Sequence, residues 1–341
     1  MAKTNLLVPI LFRPRKFTLP FSADFTTWTD SALPSPLNGS TWTVSGSAAK
    51  CTANAPTELA TNPEFTTNTT GWSAANGATL TRRDYTSSPD IDPTGGADNF
   101  GIEVAGTGSN NPAGNGTAVA VTKDQWFRWS CRSYSPSANT TVNAGMIVAS
   151  NTVGGGAGNV QSTEDAWQTL KTTGRSSSTT MQPILRCQGA NSGDMVHFDA
   201  VSMKQLTLSN TFALLPGSQA DAIVKASWTL IPGICAGVVG RMDSAANPQN
   251  YWLAYYDGSR MRLDEVNAGV YTNRINASYA SQTTVLVELR MSGANVSLYG
   301  NSVQMGTTQT DTLLVNNKIH GAWTADAEGV NQMTSFFAVA P

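Results

Sequence analysis

Charged side chains are scarce in this sequence. Lys, Arg, Asp and Glu make up 13% of its 341 residues, against about 25% in an average soluble domain. Lys and Glu favour helices, whereas the abundant Thr, Ser, Asn and Gly favour strands and turns. The shortage excludes a coiled coil and a helical bundle, and it predicts an all-β protein. The length of 341 residues suggests about two domains.

The sequence also has no surplus of basic residues, because 21 Lys and Arg stand against 23 Asp and Glu. Nucleic-acid binding without sequence preference needs a positively charged surface, so we expect no nucleic-acid partner. No apolar run reaches the roughly 20 residues of a membrane-spanning helix. We therefore expect no membrane insertion.

The N-terminus lacks the features of a secretory signal. Its apolar stretch Leu6–Phe12 is short, and Arg13, Arg15 and Lys16 follow it where a small-residue cleavage site would be needed. We expect synthesis in a cytoplasm. Residues 1–16 are predicted to be an extended arm that docks on a neighbouring subunit or a larger assembly, with a disordered tail as the alternative.

Residues that hold metals or carry out redox chemistry are few. The two histidines, His197 and His320, exclude a histidine-rich metal site. No pair of cysteines has the C-x-x-C spacing of a zinc or redox site. In a reducing cytoplasm we favour four buried thiols. The alternative is two disulfides, and these would pair Cys131 with Cys187 and Cys51 with Cys235.

The middle of the chain carries two short motifs at its ends. It opens on Asn62-Pro63-Glu64-Phe65 followed by Gly71-Trp72, and it closes on His197-Phe198-Asp199-Ala200-Val201. These motifs resemble the opening and closing strands of carbohydrate-binding modules of the jelly-roll type. The resemblance covers about residues 58–206 and implies a β-sandwich that binds glycans.

The same resemblance implies a structural calcium ion in some family members. Its ligands there include the closing Asp, here Asp199, and a carboxylate after the opening Phe. Thr66 occupies that second position in this sequence, and calcium needs six to eight oxygen ligands. Asp199 is therefore a single candidate calcium ligand, and no other cofactor is expected.

The flanking segments carry a second set of motifs. Asp24-Phe25 and Gly39-Ser40-Thr41-Trp42 precede the middle region, and Tyr251–Tyr256 and Val287–Gly293 follow it. They resemble laminin-G/concanavalin-like jelly rolls of bacterial and phage surface proteins, whose opening strands are Asp-x-Phe and Gly-x-x-Trp. We therefore predict two nested antiparallel β-sandwiches, the outer one discontinuous.

The predicted domains follow from this nesting. They are an arm at 1–16, an outer jelly roll at 17–54 and 208–341, and an inserted jelly roll at 55–207. Loop-closure entropy changes slowly with loop length, so the insert is expected to be excisable.

Alternation of side chains in the inserted unit predicts a glycan-binding face. In Gln125–Ser133, Trp126 and Arg128 lie opposite the core residues Phe127 and Trp129. The strand ending at Cys187 places Arg186 opposite the core in the same way. An exposed Trp can stack on a sugar ring and Arg can bind its polar groups. The predicted glycan-binding residues are Trp126, Arg128 and Arg186, unless a loop or partner subunit covers Trp126.

A second aromatic patch is predicted in the outer unit. Trp252 and Tyr256 alternate with Tyr251 and Tyr255 along one strand. One set should pack in the core and the other be exposed. We predict Trp252 and Tyr256 as a subunit interface or, as the alternative, a ligand site.

Catalysis is not expected. The carboxylates Asp257, Asp264, Glu265 and Glu288 do not converge by spacing into a glycosidase pair. Neither histidine has a nucleophile motif nearby.

Taken together, these features predict a structural protein on the surface of a bacteriophage particle, made in the host cytoplasm. Capsid decoration or head attachment is favoured, with non-catalytic glycan binding. Expected partners are other virion proteins, further copies of the chain in a homo-oligomer, and cell-surface or environmental glycans. The alternatives are a tail-associated receptor-binding adhesin and, third, a non-catalytic part of a glycan-degrading enzyme.

Overall fold

The computed structural model describes residues 21–24, 31–32, 42–51, 57–87, 100–108, 111–139, 145–153, 160–188, 191–207, 211–216, 219–231, 233–326 and 331–341. They form an all-β protein of antiparallel sheets, which confirms the predicted fold class. Arg13, Arg15 and Lys16 of the predicted arm lie outside these residues. Within the described ranges, no helix has the length and apolar character needed to span a membrane.

The described strands fall into two groups that share no sheet. We call residues 57–207 the inserted region, and residues 21–51 together with 211–341 the flanking region. The inserted region contains β5 (Trp72–Ala75), β6 (Ala78–Asp84), β7 (Phe100–Gly106), β8 (Ala113–Gly116), β9 (Val119–Ala120), β10 (Trp126–Tyr134), β11 (Gly145–Ala149), β12 (Thr152–Val153), β13 (Gln168–Ser176), β14 (Thr180–Met181), β15 (Pro183–Cys187) and β16 (Met195–Gln205).

The flanking region contains strands from both ends of the chain. They are β1 (Phe21–Asp24), β2 (Ser31–Ala32), β3 (Trp42–Val44), β4 (Ala49–Cys51), β17 (Phe212–Pro216), β18 (Ala222–Thr229), β19 (Ala236–Met242), β20 (Tyr251–Tyr256), β21 (Arg260–Asn267), β22 (Val270–Ser278), β23 (Thr284–Ser292), β24 (Asn295–Gly300), β25 (Val303–Thr310), β26 (Ile319–Thr324) and β27 (Gln332–Val339).

Two sheets make up the flanking region. In the nine-stranded flanking sheet, the described strands have the order β2-β3-β4-β27-β18-β23-β24-β25, and β1 also pairs with β27. In the six-stranded flanking sheet, their order is β17-β26-β19-β20-β21-β22. β1 pairs with β27, with Phe21 opposite Ala338. Segments before and after the inserted region thus complete one sheet. The domain boundaries and the independence of the two units stay predictions.

The inserted region has its own two main sheets. In the described residues, the six-stranded inserted sheet runs β12-β13-β10-β16-β7-β6 and the four-stranded inserted sheet runs β11-β15-β8-β5. Phe127, Trp129 and Cys131 from the first meet Leu185 and Cys187 from the second in a buried core. This is the core that the alternation of β10 and β15 predicts.

A further apolar cluster joins the two regions. Trp126 and Leu206 from the inserted region pack with residues of the six-stranded flanking sheet, including Tyr255 and Trp323. That flanking sheet is therefore covered on both faces, because its other face packs on the nine-stranded flanking sheet. Double coverage explains why all six residues of β20 are buried.

Hydrogen bonds reinforce this contact. The backbone N–H of Thr173 on β13 donates to the carbonyl of Gly233 at 2.8 Å. The Thr173 hydroxyl donates to the same carbonyl at 3.1 Å and accepts from the N–H of Cys235 at 3.0 Å. These buried hydrogen bonds add to the apolar contact between the two regions.

Candidate functional site

Trp126 is not an exposed sugar platform. It is 1% exposed, and its ring centroid lies 4.7 Å from that of Trp323 and 5.5 Å from that of Tyr255. Its Nε1 donates to the hydroxyl of Tyr271 at 3.2 Å. The alternation of β10 is as predicted, but the expected exposure is wrong because the flanking region covers this end of the sheet.

The three predicted glycan-binding residues do not share a face. Arg128 lies beside Trp126 on β10 of the six-stranded inserted sheet and is 5% exposed. Arg186 belongs to β15 of the four-stranded inserted sheet. Because the inner faces of these sheets meet in one core, their outer faces point in opposite directions. The predicted site of Trp126, Arg128 and Arg186 is therefore wrong as a constellation.

Trp252 and Tyr256 are also not an exposed patch. Both are fully buried in the core between the two flanking sheets. Trp252 Nε1 donates to Asp311 at 2.9 Å, and the Tyr256 hydroxyl donates to the carbonyl of Gly258 at 2.7 Å. Tyr251 and Tyr255, on the opposite face, form the contact with the inserted region.

The surroundings of Asp199 do not fit a calcium ion. Asp199 is fully buried, and one of its oxygens accepts the N–H of Ala200 at 2.6 Å. Within the described ranges, no group of three or more His, Cys, Asp or Glu side chains is arranged to hold a metal. Calcium would need several carboxylates or other oxygens there, so we assign Asp199 no metal role.

The four cysteines are buried thiols, and none of them forms a disulfide. Burial raises the pKa of Cys187 to about 12 and that of Cys131 well above its ordinary value. Protonated, buried thiols are poor nucleophiles. These side chains therefore serve as small core residues.

A cluster around His197 occupies the end of the six-stranded inserted sheet that lies away from Trp126. His197 on β16 lies opposite Glu103 on β7 and Tyr134 on β10. Its Nδ1 is 3.2 Å from the hydroxyl of Tyr85 and 4.0 Å from Glu103 Oε2. Arg83 holds Glu103 with two hydrogen bonds of 2.8 Å.

Burial decides the charge of His197. It lowers the pKa of His197 to about 4, although the nearby carboxylate of Glu103 acts to raise it. The imidazole is therefore neutral at pH 7, and its Nε2 is buried with no hydrogen-bond partner. Tyr85, Glu103 and His197 are each at most 5% exposed. A ligand has no access to them, so the cluster acts as a packed polar element.

The outer face of the four-stranded inserted sheet is different. Its side chains are partly exposed, apart from Ala113, which lies opposite Arg186 and is buried. Val148, Ile184, Asn115 and Ser73 form one cross-strand row, and Arg186 lies in the next row opposite Met146. None of the four strands contains Asp or Glu. We call this surface the Arg186 face.

A groove of about 360 Å³ adjoins the Arg186 face at Ser73. Its polar side chains are Ser73, Thr117 and Gln182, and Trp72 forms one wall. Each polar side chain donates a hydrogen to a backbone carbonyl: Ser73 to Asn115, Thr117 to Gly71 and Gln182 to Gly116. Their oxygens are then oriented to accept hydrogen bonds from a ligand.

The sequence predicted only some of the residues on this surface. Arg186 was predicted from alternation, and it is the single predicted glycan-binding residue found on an open face. Ser73, Thr117 and Gln182 carried no signal, because a hydroxyl or amide in a Thr- and Ser-rich sequence is ordinary. Gly71-Trp72 marked the position, but only as a family motif.

No protein-family model matches the chain, and no curated protein sequence matches it. Similar solved structures include the carbohydrate-binding module CBM66 from Bacillus subtilis, with 11% identity over 38% of this chain and 83% of that one, at a TM-score of 0.32. The tandem CBM22-1–CBM22-2 domain of Paenibacillus barcinonensis Xyn10C covers 85% of this chain and 99% of its own, with 10% identity and a TM-score of 0.34. Sheep galectin-11 covers 35% and 90%, with 8% identity and a TM-score of 0.28. With such low TM-scores, function has to be argued from this chain's own geometry.

Proposed function

We propose that the protein is a non-catalytic, glycan-binding structural protein on the surface of a bacteriophage particle. The groove beside the Arg186 face is the observation that carries the glycan-binding part. Its volume of about 360 Å³ falls within the range of small-molecule sites. Its oriented oxygens suit a ligand rich in hydroxyl donors, and sugars are such ligands.

The state of the carboxylates supports a binding role without catalysis. Hydrolysis of glycosides needs two carboxyl groups facing one cleft. Asp257 pairs with Arg262, Glu265 with Arg274 and Glu288 with Arg290. Asp264 is buried and accepts hydrogen bonds from Tyr255 and Asn273. These four residues, which the sequence offers as candidates, are held in structural contacts.

The placement on a phage particle is supported by the surface-protein resemblance of the flanking motifs. Four buried thiols suit a protein assembled in a reducing cytoplasm and then exposed outside the cell. In this proposal the flanking region docks on the particle and the inserted region presents the Arg186 face outward.

Two measurements test the proposal. A glycan array probed with the full chain should give saturable binding to at least one class of oligosaccharide, and binding to none would overturn the glycan-binding part. Quantitative mass spectrometry of purified phage particles should find many copies of the protein per particle. A few copies would favour a tail-associated adhesin, and absence from particles would overturn the virion role.

A further inference from the structure

Among the described residues, Arg186 is a cation without a counter-charge. Its Nε is buried and has no hydrogen-bond partner, and its guanidinium pairs with no carboxylate in the described part of the chain. Buried side-chain nitrogen atoms are usually hydrogen-bonded. No carboxylate of the described residues therefore competes with an anionic ligand for this guanidinium.

Three arginines elsewhere in the protein have partly exposed side chains that form ion pairs. The side chains of Arg83, Arg274 and Arg290 are 43–46% exposed, and each is paired with a buried Glu. The guanidinium of Arg290 also lies 3.9 Å from the centroid of the Tyr299 ring. Among the described residues Arg186 has neither kind of partner, and the strands around it supply only uncharged residues. These strands therefore carry a net positive charge at Arg186, which is partly exposed.

The distance between Arg186 and the groove fits a short chain of sugars. Ser73 lies opposite Asn115, Asn115 lies opposite Ile184, and Arg186 is two residues further along β15. With about 4.8 Å between strands and about 3.3 Å per residue, Ser73 and Arg186 are roughly 12 Å apart. A ligand that occupies the groove must extend past Ile184 to reach the guanidinium.

We infer that the Arg186 face binds an acidic oligosaccharide, with one sugar in the groove and a carboxylate on a neighbouring sugar paired with Arg186. This inference rests on the proposed glycan-binding function and adds the ligand class. The guanidinium supplies a planar, bidentate donor that matches a carboxylate. Ser73, Thr117 and Gln182 accept hydrogen bonds from the sugar hydroxyls in the groove.

The test compares acidic oligosaccharides with their neutral counterparts. Oligosaccharides of uronic acids and sialylated oligosaccharides are each paired with the carboxyl-reduced form, and binding to the full chain is measured by calorimetry. We expect the wild-type protein to bind at least one acidic form about tenfold more tightly than its reduced form. Arg186→Gln should abolish this difference, because affinity for the acidic form should fall to that for its reduced form.

Three further variants distinguish the contribution of the groove from that of Arg186. Arg260→Gln removes an exposed arginine of the flanking region, which bonds Asn276, and should change neither affinity. Ser73→Ala and Thr117→Val should lower the affinities for the acidic and the reduced oligosaccharides by the same factor, because these substitutions alter only the groove. Circular dichroism checks that each variant is folded.

The outcomes distinguish the inference from the proposed function. Equal binding of acidic and reduced forms, or an unchanged preference in Arg186→Gln, overturns the acidic ligand while glycan binding stands. Binding of no oligosaccharide overturns both. Binding of a polyglutamate peptide in an Arg186-dependent manner, without oligosaccharide binding, identifies an acidic peptide as the occupant and overturns the inference.

Discussion

The outer faces of the two inserted sheets differ in burial. On the six-stranded inserted sheet, Trp126 and Arg128 project outward from β10 and are at most 5% exposed. On the four-stranded inserted sheet, Ile184 and Arg186 project outward from β15 and stay partly exposed. Both pairs obey the same alternation. Alternation along a strand therefore identifies which residues share a face, but it does not show which other element packs on that face.

Excision of residues 55–207 should have the largest effect. Chain entropy alone predicts a tolerated deletion, whereas the apolar contact between the two regions predicts an exposed surface. Removal of the inserted region would expose Tyr251, Leu253, Tyr255 and Trp323, which form one apolar surface. We expect aggregation or strong binding of a hydrophobic dye. A soluble, folded monomer with no dye binding would show that the two regions are independent.

Trp126→Ala should have the next largest effect. The substitution leaves a cavity in the cluster between the regions and should destabilise the protein by about 3–5 kcal/mol. Urea denaturation measures the loss. Trp129→Ala, which empties a site inside the inserted core, is the matched variant and should cost a similar amount. If Trp126→Ala changed stability by less than about 1 kcal/mol, Trp126 would not hold the regions together.

The burial of His197, at the other end of the same sheet, can be tested through the pH dependence of stability. His197 has a pKa of about 4 in the folded protein and about 6.5 in an unfolded chain. Between these values the unfolded chain binds a proton that the folded protein does not. Stability should therefore fall as the pH drops from 6.5 towards 4, by an amount on the order of 3 kcal/mol.

His197→Phe isolates this contribution, since Phe keeps the ring between Tyr85 and Tyr134 and cannot be protonated. Thermal denaturation between pH 5 and 6.5 should show a smaller pH dependence for the variant than for the wild type. His320, whose pKa burial also lowers, keeps its own contribution in both proteins. Identical pH dependences would show that His197 does not titrate as described.

Arg186→Gln should have the smallest effect on stability. The side chain makes no ion pair in the described residues, and its Nε is buried without a partner, so its replacement breaks no ion pair there and relieves an unmet donor. We expect a change within about 0.5 kcal/mol in urea denaturation. A loss above about 2 kcal/mol would mean that Arg186 supports the sheet rather than a ligand.

Some strands were recognisable from the sequence and others were not. β10, β15 and β20 carry alternating or continuous apolar residues, which reflect burial on one face or two. β22 and β25 are mostly exposed. A strand whose faces both meet water has no hydrophobic period, so the sequence around Val303–Thr310 gave no signal.

By itself, the sequence determined the all-β fold class, the core faces of β10 and β15, and the outward position of Arg186. These depend on local properties: strand propensity, turn residues and the two-residue period of a strand. The tertiary structure buries Trp126, places Trp252 and Tyr256 in the core and leaves Arg186 without an ion pair among the described residues. Those outcomes depend on contacts between residues far apart in sequence, and no local pattern encodes which sheet covers which face.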